Sequence, residues 1–180
     1  MIRLGEMTTT DADPPSSAGT PGKGPTPGGD PGAPETPATP GTPETPEAEL
    51  VAYLNGVRGE LERHMGIVLT EAAAERVVAT MPVEGNRQPY GLLHGGASVA
   101  LAETVGSIGA TLGAPAGSLA VGIEINATHH RSATAGTITA VATRLHGGRT
   151  LATYDIRITD ETGRAVCTCR LTCMIRPGSR

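Results

Sequence analysis

Tryptophan and phenylalanine are absent from this 180-residue chain, and three tyrosines are its only aromatics. Lysine occurs once, at Lys23, so beyond residue 46 every basic side chain other than histidine is an arginine. Residues 47–180 balance twelve arginines against twelve carboxylates. With neither net positive charge nor an aromatic-rich basic stripe, nucleic acid is not an expected partner. No run of 18 uncharged apolar residues exists. The best candidate, Leu92–Leu112, contains His94 and Glu103, so no membrane span is expected. The N-terminus lacks the apolar core of a secretory signal. Cysteine is scarce and odd in number: Cys167, Cys169 and Cys173 lie in one short segment with neither the spacing nor the fourth ligand of a zinc site. No metal is expected, and unpaired thiols without an export signal point to the cytoplasm.

What is abundant is unevenly spread. Eleven of the 15 prolines fall in the first 46 residues, with repeated Thr-Pro pairs and almost no large apolar side chain between Leu4 and Leu50. Such a stretch cannot bury enough surface to offset its ordering entropy, and residues 1–46 are expected to be a disordered Pro/Gly/Thr-rich arm. It also carries the whole formal charge of −4. Residues 47–180 then form one domain large enough for an ordinary core.

Within that domain Leu50–His64 shows helical apolar spacing through Leu50, Val51, Leu54, Val57 and Leu61. Strands are expected around Ile67–Leu69 and through Arg76–Val83, followed by a turn at Glu84-Gly85-Asn86 and a loop over Arg87–Leu93. A helix from Gly95 or Gly96 to about Leu112 is built from unusually small residues and ends at the Gly/Pro cluster from Gly113. Each helical glycine costs about 1 kcal/mol relative to alanine, so close approach of surrounding backbone is the better explanation, and the helix should be wrapped by a sheet. Leu119–His130, Thr137–His146, Arg149–Thr159 and Ala165–Ile175 read as four long strands joined by tight turns, that is, an antiparallel meander. In the last of these, the three cysteines share the core face with Leu171 and Ile175. The fold class is α+β: one central helix and a curved antiparallel sheet of five to six strands.

Chemistry concentrates at residues 88–107. His94-Gly95-Gly96 enters a helix and leaves backbone N–H groups at its positive end, where they can polarise a carbonyl oxygen. Glu103 is a solitary carboxylate in a small, apolar helix, where burial without function would be costly. Ser107 lies one turn on, placed to orient that carboxylate or its water. His94 and Glu103 are nine residues apart, or roughly 13 Å along a helix. They cannot reach one carbonyl carbon from the same chain, so a shared site requires at least a dimer.

The stretch from Gln88 to Ser98, with Leu101-Ala102-Glu103-Thr104 and Gly106-Ser107, resembles the signature of the hotdog-fold thioesterases. The likeness is greatest to the aryl-CoA branch, which includes the 1,4-dihydroxy-2-naphthoyl-CoA, 4-hydroxybenzoyl-CoA and enterobactin proofreading thioesterases. It extends from about Leu50 to Ile175 and is specific again at Asn126–Arg131 and Leu145–Arg149. The resemblance implies that Gln88 and the Gly95 N–H hold the thioester oxygen, that His94 assists positioning, and that Glu103 of a neighbouring subunit is nucleophile or general base with Ser107 in support. It also implies a coenzyme A site at a subunit boundary built from Gly122, His129, His130, Arg131, Ser132, Gly148, Arg149 and Thr150. Arg131 and Arg149 suit phosphate, and a Gly147-Gly148 turn lets backbone N–H groups approach it. The expected assembly is a homo-oligomer, at least a dimer and, in full, a dimer of dimers.

The implied activity is hydrolysis of an acyl-CoA thioester, aromatic in its acyl part, without a cofactor; coenzyme A belongs to the substrate. Three alternatives stand beside it. A proofreading enzyme would act on mis-acylated carrier protein. A non-catalytic acyl-CoA sensor would need a DNA-binding module that the Pro-rich arm cannot supply. A hydratase would also use His and an acid, but the set Gln88, Glu103 and Ser107 favours hydrolysis.

Overall fold

The computed structural model describes residues 45–178. The expected disorder of residues 1–46 falls outside that range except at its end, where Thr45 and Pro46 open the first helix. Helix α1 (Pro46–Gly56) has Thr45 as its N-cap, its side chain accepting the Ala48 N–H at 3.2 Å. Helix α2 (Glu60–Met65) ends on Gly66 in the left-handed conformation, φ 68°. The single helix expected over Leu50–His64 is therefore two. The break lies at Val57–Gly59, where Arg58 turns inward to bond the carbonyls of Asn55 (2.8 Å) and Ile67 (2.6 Å).

Strands β1 (Val68–Ala72) and β2 (Arg76–Pro82) form a hairpin; helix α3 (Gly95–Leu112) follows, and then strands β3 (Ser118–His129), β4 (Thr137–Gly147), β5 (Leu151–Asp160) and β6 (Ala165–Pro177). All strand pairs are antiparallel in one six-stranded sheet of order β1-β2-β4-β5-β6-β3. This corrects the expected four-strand meander. Only β4, β5 and β6 follow one another in space, while β3 passes to the margin and pairs with the last strand from Ser118↔Pro177 to His129↔Cys167.

The core lies between α3 and one face of the sheet. Leu101, Ala102 and Val105 of the helix are fully buried, as are Met81, Ile138, Ile156 and Leu171 of the sheet. The helical glycines are explained by contact, as their cost demanded. A Cβ on Gly106 would stand 2.5 Å from Leu171 Cδ2, and one on Gly109 would stand 2.7 Å from the Tyr154 ring. Tyr154 fills that space completely and donates its hydroxyl to the Ala74 carbonyl at 2.6 Å. Burial pushes its phenol up to about 12. Cys167, Cys169 and Cys173 point into the core as expected, and burial pushes all three thiols up, Cys169 to about 12.

Candidate functional site

The loop between β2 and α3 is held by its own hydrogen bonds. Asn86 donates its side-chain amide to the carbonyls of Met65 (2.8 Å) and Pro82 (2.9 Å), and its carbonyl accepts the His94 N–H at 2.9 Å. Gln88 to Gly91 form a turn closed by the Gly91 N–H on the Gln88 carbonyl at 3.0 Å, with Gly91 at φ 76°, a conformation that favours glycine. The backbone of Gln88 is thereby fixed, and the residue lines the cavity beside α3.

His94 is the N-cap of α3, and its Nδ1 accepts the Gly96 N–H at 2.9 Å. The N–H groups of Ala97 and Ser98 both reach the His94 carbonyl. Among the described residues the Gly95 N–H has no acceptor, which leaves it at the positive end of an 18-residue helix. The His129 ring packs over Gly95, so close that a Cβ there would lie 2.9 Å from Nε2. A cavity of about 320 Å³ brings together Gln88, Gly95, His129, His130, Arg131 and Ser132. His130 Nε2 is bound to Thr168 Oγ1 at 2.8 Å, which fixes that ring on β6.

Glu103 lies elsewhere. It lines a separate groove of about 480 Å³ with Ser107, walled by apolar side chains of α1, α2 and α3. In the single chain it is exposed rather than buried, because α3 buries only the face turned to the sheet. The expected burial cost is therefore absent. Ser107 does not bond it either: its hydroxyl sits 4.0 Å from Cys173 Sγ. On β3 it adjoins Gly122, where a Cβ would meet Glu103 Oε1 at 2.9 Å.

The sheet register explains the separation. Gly122 pairs with Cys173, Cys173 with Ala152, and Ala152 with Gly147, so one row crosses the sheet beside Glu103 and ends at the β4–β5 turn. His129 pairs with Cys167 at the other end of β3, roughly 20 Å along the strand at about 3.3 Å per residue. The residues expected to bind coenzyme A are thus divided. His129–Ser132 lie at one pole with Gln88 and Gly95, whereas Gly122, Gly148, Arg149 and Thr150 lie at the other with Glu103. At that second pole the Gly148 N–H is already given to the Leu151 carbonyl at 2.8 Å, so it is not free for phosphate as expected, and the Thr150 carbonyl accepts from Ile175. Arg149 is exposed and makes no ion pair among the described residues. No metal-binding cluster occurs among the described residues, and none of their helices is long and apolar enough to cross a membrane.

Two residues escaped the sequence reading. Asn86 read as turn punctuation, and only the structure shows it tying β2, α2 and α3 together. Glu62 carries no motif or spacing that singles it out, yet it lines the Glu103 groove.

A long helix packed across a six-stranded antiparallel sheet is the architecture of the hotdog-fold enzymes. Residues 90–167 match the thioesterase superfamily pattern. The chain is 44% identical over 126 residues to the proofreading thioesterase EntH of Klebsiella pneumoniae, covering 69% of this chain and 92% of that protein. It is 47% identical over 118 residues to EntH of Cronobacter sakazakii, covering 65% and 86%. A thioesterase of Haemophilus influenzae superposes with a TM-score of 0.68 at 38% identity, covering 71% of this chain and 90% of that one. The chain belongs to the thioesterase superfamily, and it is a thioester hydrolase.

Proposed function

We propose that the chain hydrolyses acyl-CoA thioesters with an aromatic acyl part, such as 1,4-dihydroxy-2-naphthoyl-CoA, at a site shared by two subunits. The observation that carries this reading is the polar separation of the two half-sites. Gln88 and the Gly95 N–H open on one cavity, and Glu103 opens on another. An antiparallel two-fold partner along the β3 margin would bring one chain's Gly95 pole onto the other's Glu103 pole. A dimer of dimers would repeat the same arrangement.

In such a site the thioester oxygen accepts from Gln88 and from the Gly95 N–H, donors that strengthen as negative charge develops on it. His94 secures the helix start that presents this N–H. Glu103 of the partner chain faces the carbonyl carbon. Either it attacks directly, forming an anhydride that water opens, or it takes a proton from an attacking water. In both courses the C–S bond breaks, the thiolate gains a proton, and free acid and CoA leave without metal or redox cofactor. His129, His130, Arg131 and Ser132 from one chain, and Arg149 from the other, are placed to meet the CoA moiety. A single turnover in ¹⁸O-labelled water separates the two courses, since only direct attack leaves label in Glu103.

The test is a hydrolysis screen over short, long and aromatic acyl-CoAs with Glu103→Ala as control. Aryl-CoAs should be turned over fastest and the variant should lose nearly all activity; near wild-type turnover by the variant would refute the assignment. A second reading is favoured by the relatives' name: proofreading of mis-acylated carrier protein. It is distinguished by comparing kcat/KM for the same acyl group on CoA and on carrier protein.

A further inference from the structure

Among the described residues Tyr90 is 85% exposed, more than any other large apolar side chain. The loop that carries it is nevertheless held by backbone bonds. Arg87 bridges Leu93, the Gln88 N–H reaches the Leu92 carbonyl at 2.8 Å, and the Gly91 N–H returns to the Gln88 carbonyl at 3.0 Å. Pro89 and Tyr90 are the two central residues of that turn, so the ring stands at its tip. A single exposed apolar side chain needs no explanation by itself. The position of this one supplies a reason.

In the shared site proposed above, the thioester oxygen meets Gln88 and the Gly95 N–H while the carbonyl carbon faces Glu103 of the partner subunit. Gln88 and Tyr90 belong to one four-residue turn, whose ends approach within about 7 Å. Tyr90 must then lie against the surface around the partner's Glu103. That surface is the groove of about 480 Å³, made apolar by Leu54, Leu61, Ala100, Ile108 and Leu112. Its own chain leaves much of this wall uncovered. Leu61 is 59% exposed, and Val57, on an adjoining space of about 150 Å³, is 58% exposed. An uncovered aromatic ring and an uncovered apolar wall therefore fall on the two sides of one contact, and each removes the other's apolar surface from water.

We propose that Tyr90 crosses the subunit boundary and closes the partner's groove, forming one wall of the acyl pocket. It is then a specificity-determining residue supplied in trans. Each acyl group lies between Tyr90 of the chain that holds its carbonyl oxygen and the apolar wall beside the carboxylate of the other chain. The inference rests on the shared-site reading and is independent of which acyl group the enzyme prefers. Acetyl is too short to reach the ring, whereas larger acyl groups meet it.

The test measures kcat/KM of the full chain for acetyl-CoA, hexanoyl-CoA and benzoyl-CoA in wild type, Tyr90→Phe and Tyr90→Ala. The ratio of the better large substrate to acetyl-CoA should fall about 10-fold or more in Tyr90→Ala, the scale of a lost apolar contact in a pocket. Tyr90→Phe should keep it. Heterodimers purified through two different tags then locate the ring. With Tyr90→Ala and Glu103→Ala on separate chains, the one working site keeps Tyr90 and should show the wild-type ratio. With both changes on one chain and a wild-type partner, the working site lacks Tyr90 and the ratio should be low. The reverse pattern, or a ratio unmoved in Tyr90→Ala, would overturn the Tyr90 assignment and leave the shared site standing. An inactive heterodimer of Gln88→Ala with Glu103→Ala would overturn both. Because the chain lacks tryptophan, Tyr90→Trp also provides a sole emitter. Its fluorescence should lie at shorter wavelength in the native dimer than in the urea-unfolded chain, and unfolded-like emission would likewise overturn the assignment.

Discussion

Glu103 and Gly122 occupy adjoining space so closely that a Cβ on the glycine would lie 2.9 Å from the carboxylate oxygen Oε1. A bare backbone at position 122 is what lets the Glu103 side chain lie along β3. Gly122→Ala should displace the carboxylate and lower kcat/KM by about 100-fold, the scale set by misplacing a reacting group by an ångström. In a Glu103→Ala background the same change should add little, because both act on one group. Equal losses in the two backgrounds would show that Gly122 acts through something else.

The two poles of the chain give a test of the shared site. A dimer pairing one Gln88→Ala chain with one Glu103→Ala chain contains one site with both lesions and one with neither. Refolding an equal mixture should restore about a quarter of wild-type activity, since half of the dimers are mixed and each regains one of two sites. Each variant alone should remain nearly inactive. If mixing restores nothing while mixed dimers form, the site lies within one chain.

The turn at Gln88 is closed by backbone bonds alone and the residue lines the cavity, so truncating its side chain separates folding from binding. Gln88→Ala should keep the wild-type Tm while kcat/KM falls by roughly 100-fold, as for removal of one donor to a developing oxyanion. A loss confined to KM would mark it as a ground-state contact only.

Tyr154 sets an alkaline limit on stability. Its phenol is pushed from 10.0 up to about 12, chiefly by burial, so the native state holds its proton where the unfolded chain releases it. That contribution is complete below pH 10 and is lost as pH rises through 12. Denaturant midpoints should therefore fall between those values. Tyr154→Phe should cost about 1 kcal/mol at neutral pH, through the lost bond to Ala74, and show a shallower alkaline decline. Parallel declines in both proteins would assign the alkaline limit to other groups.

Much of this architecture is legible in the residues. The small-residue helix over Gly95–Leu112, its His94 cap and the inward row of cysteines follow from spacing and from the cost of glycine in a helix. The partner of β3 does not. Alternation identifies a strand but not its neighbour, and the usual preference for pairing consecutive strands points to β4 instead of β6. The exposure of Glu103 is illegible for a related reason, since which helix face meets the sheet depends on long-range packing. The break at Val57–Gly59 had a local signal in Gly56 and Gly59, outweighed by apolar spacing that continued across it. Gly122 had a signal too: an isolated glycine in a strand often marks close approach of another group. What the sequence withholds is which group, because Glu103 lies 19 positions earlier.

Because β6 is the only strand neighbour of β3 among the described residues, the order of synthesis is not the order of assembly. A nascent chain has α3 and all of β3 in hand long before the strand that completes the sheet emerges. Until residues 165–177 are available, Gly122 has no backbone neighbour to hold it against Glu103. The margin that we assign to the subunit contact is then formed last as well, so a chain cannot join a partner through it before its own fold is closed. Late pairing of distant segments is slow, and in the proposed dimer that slowness would delay association until each chain can contribute both poles.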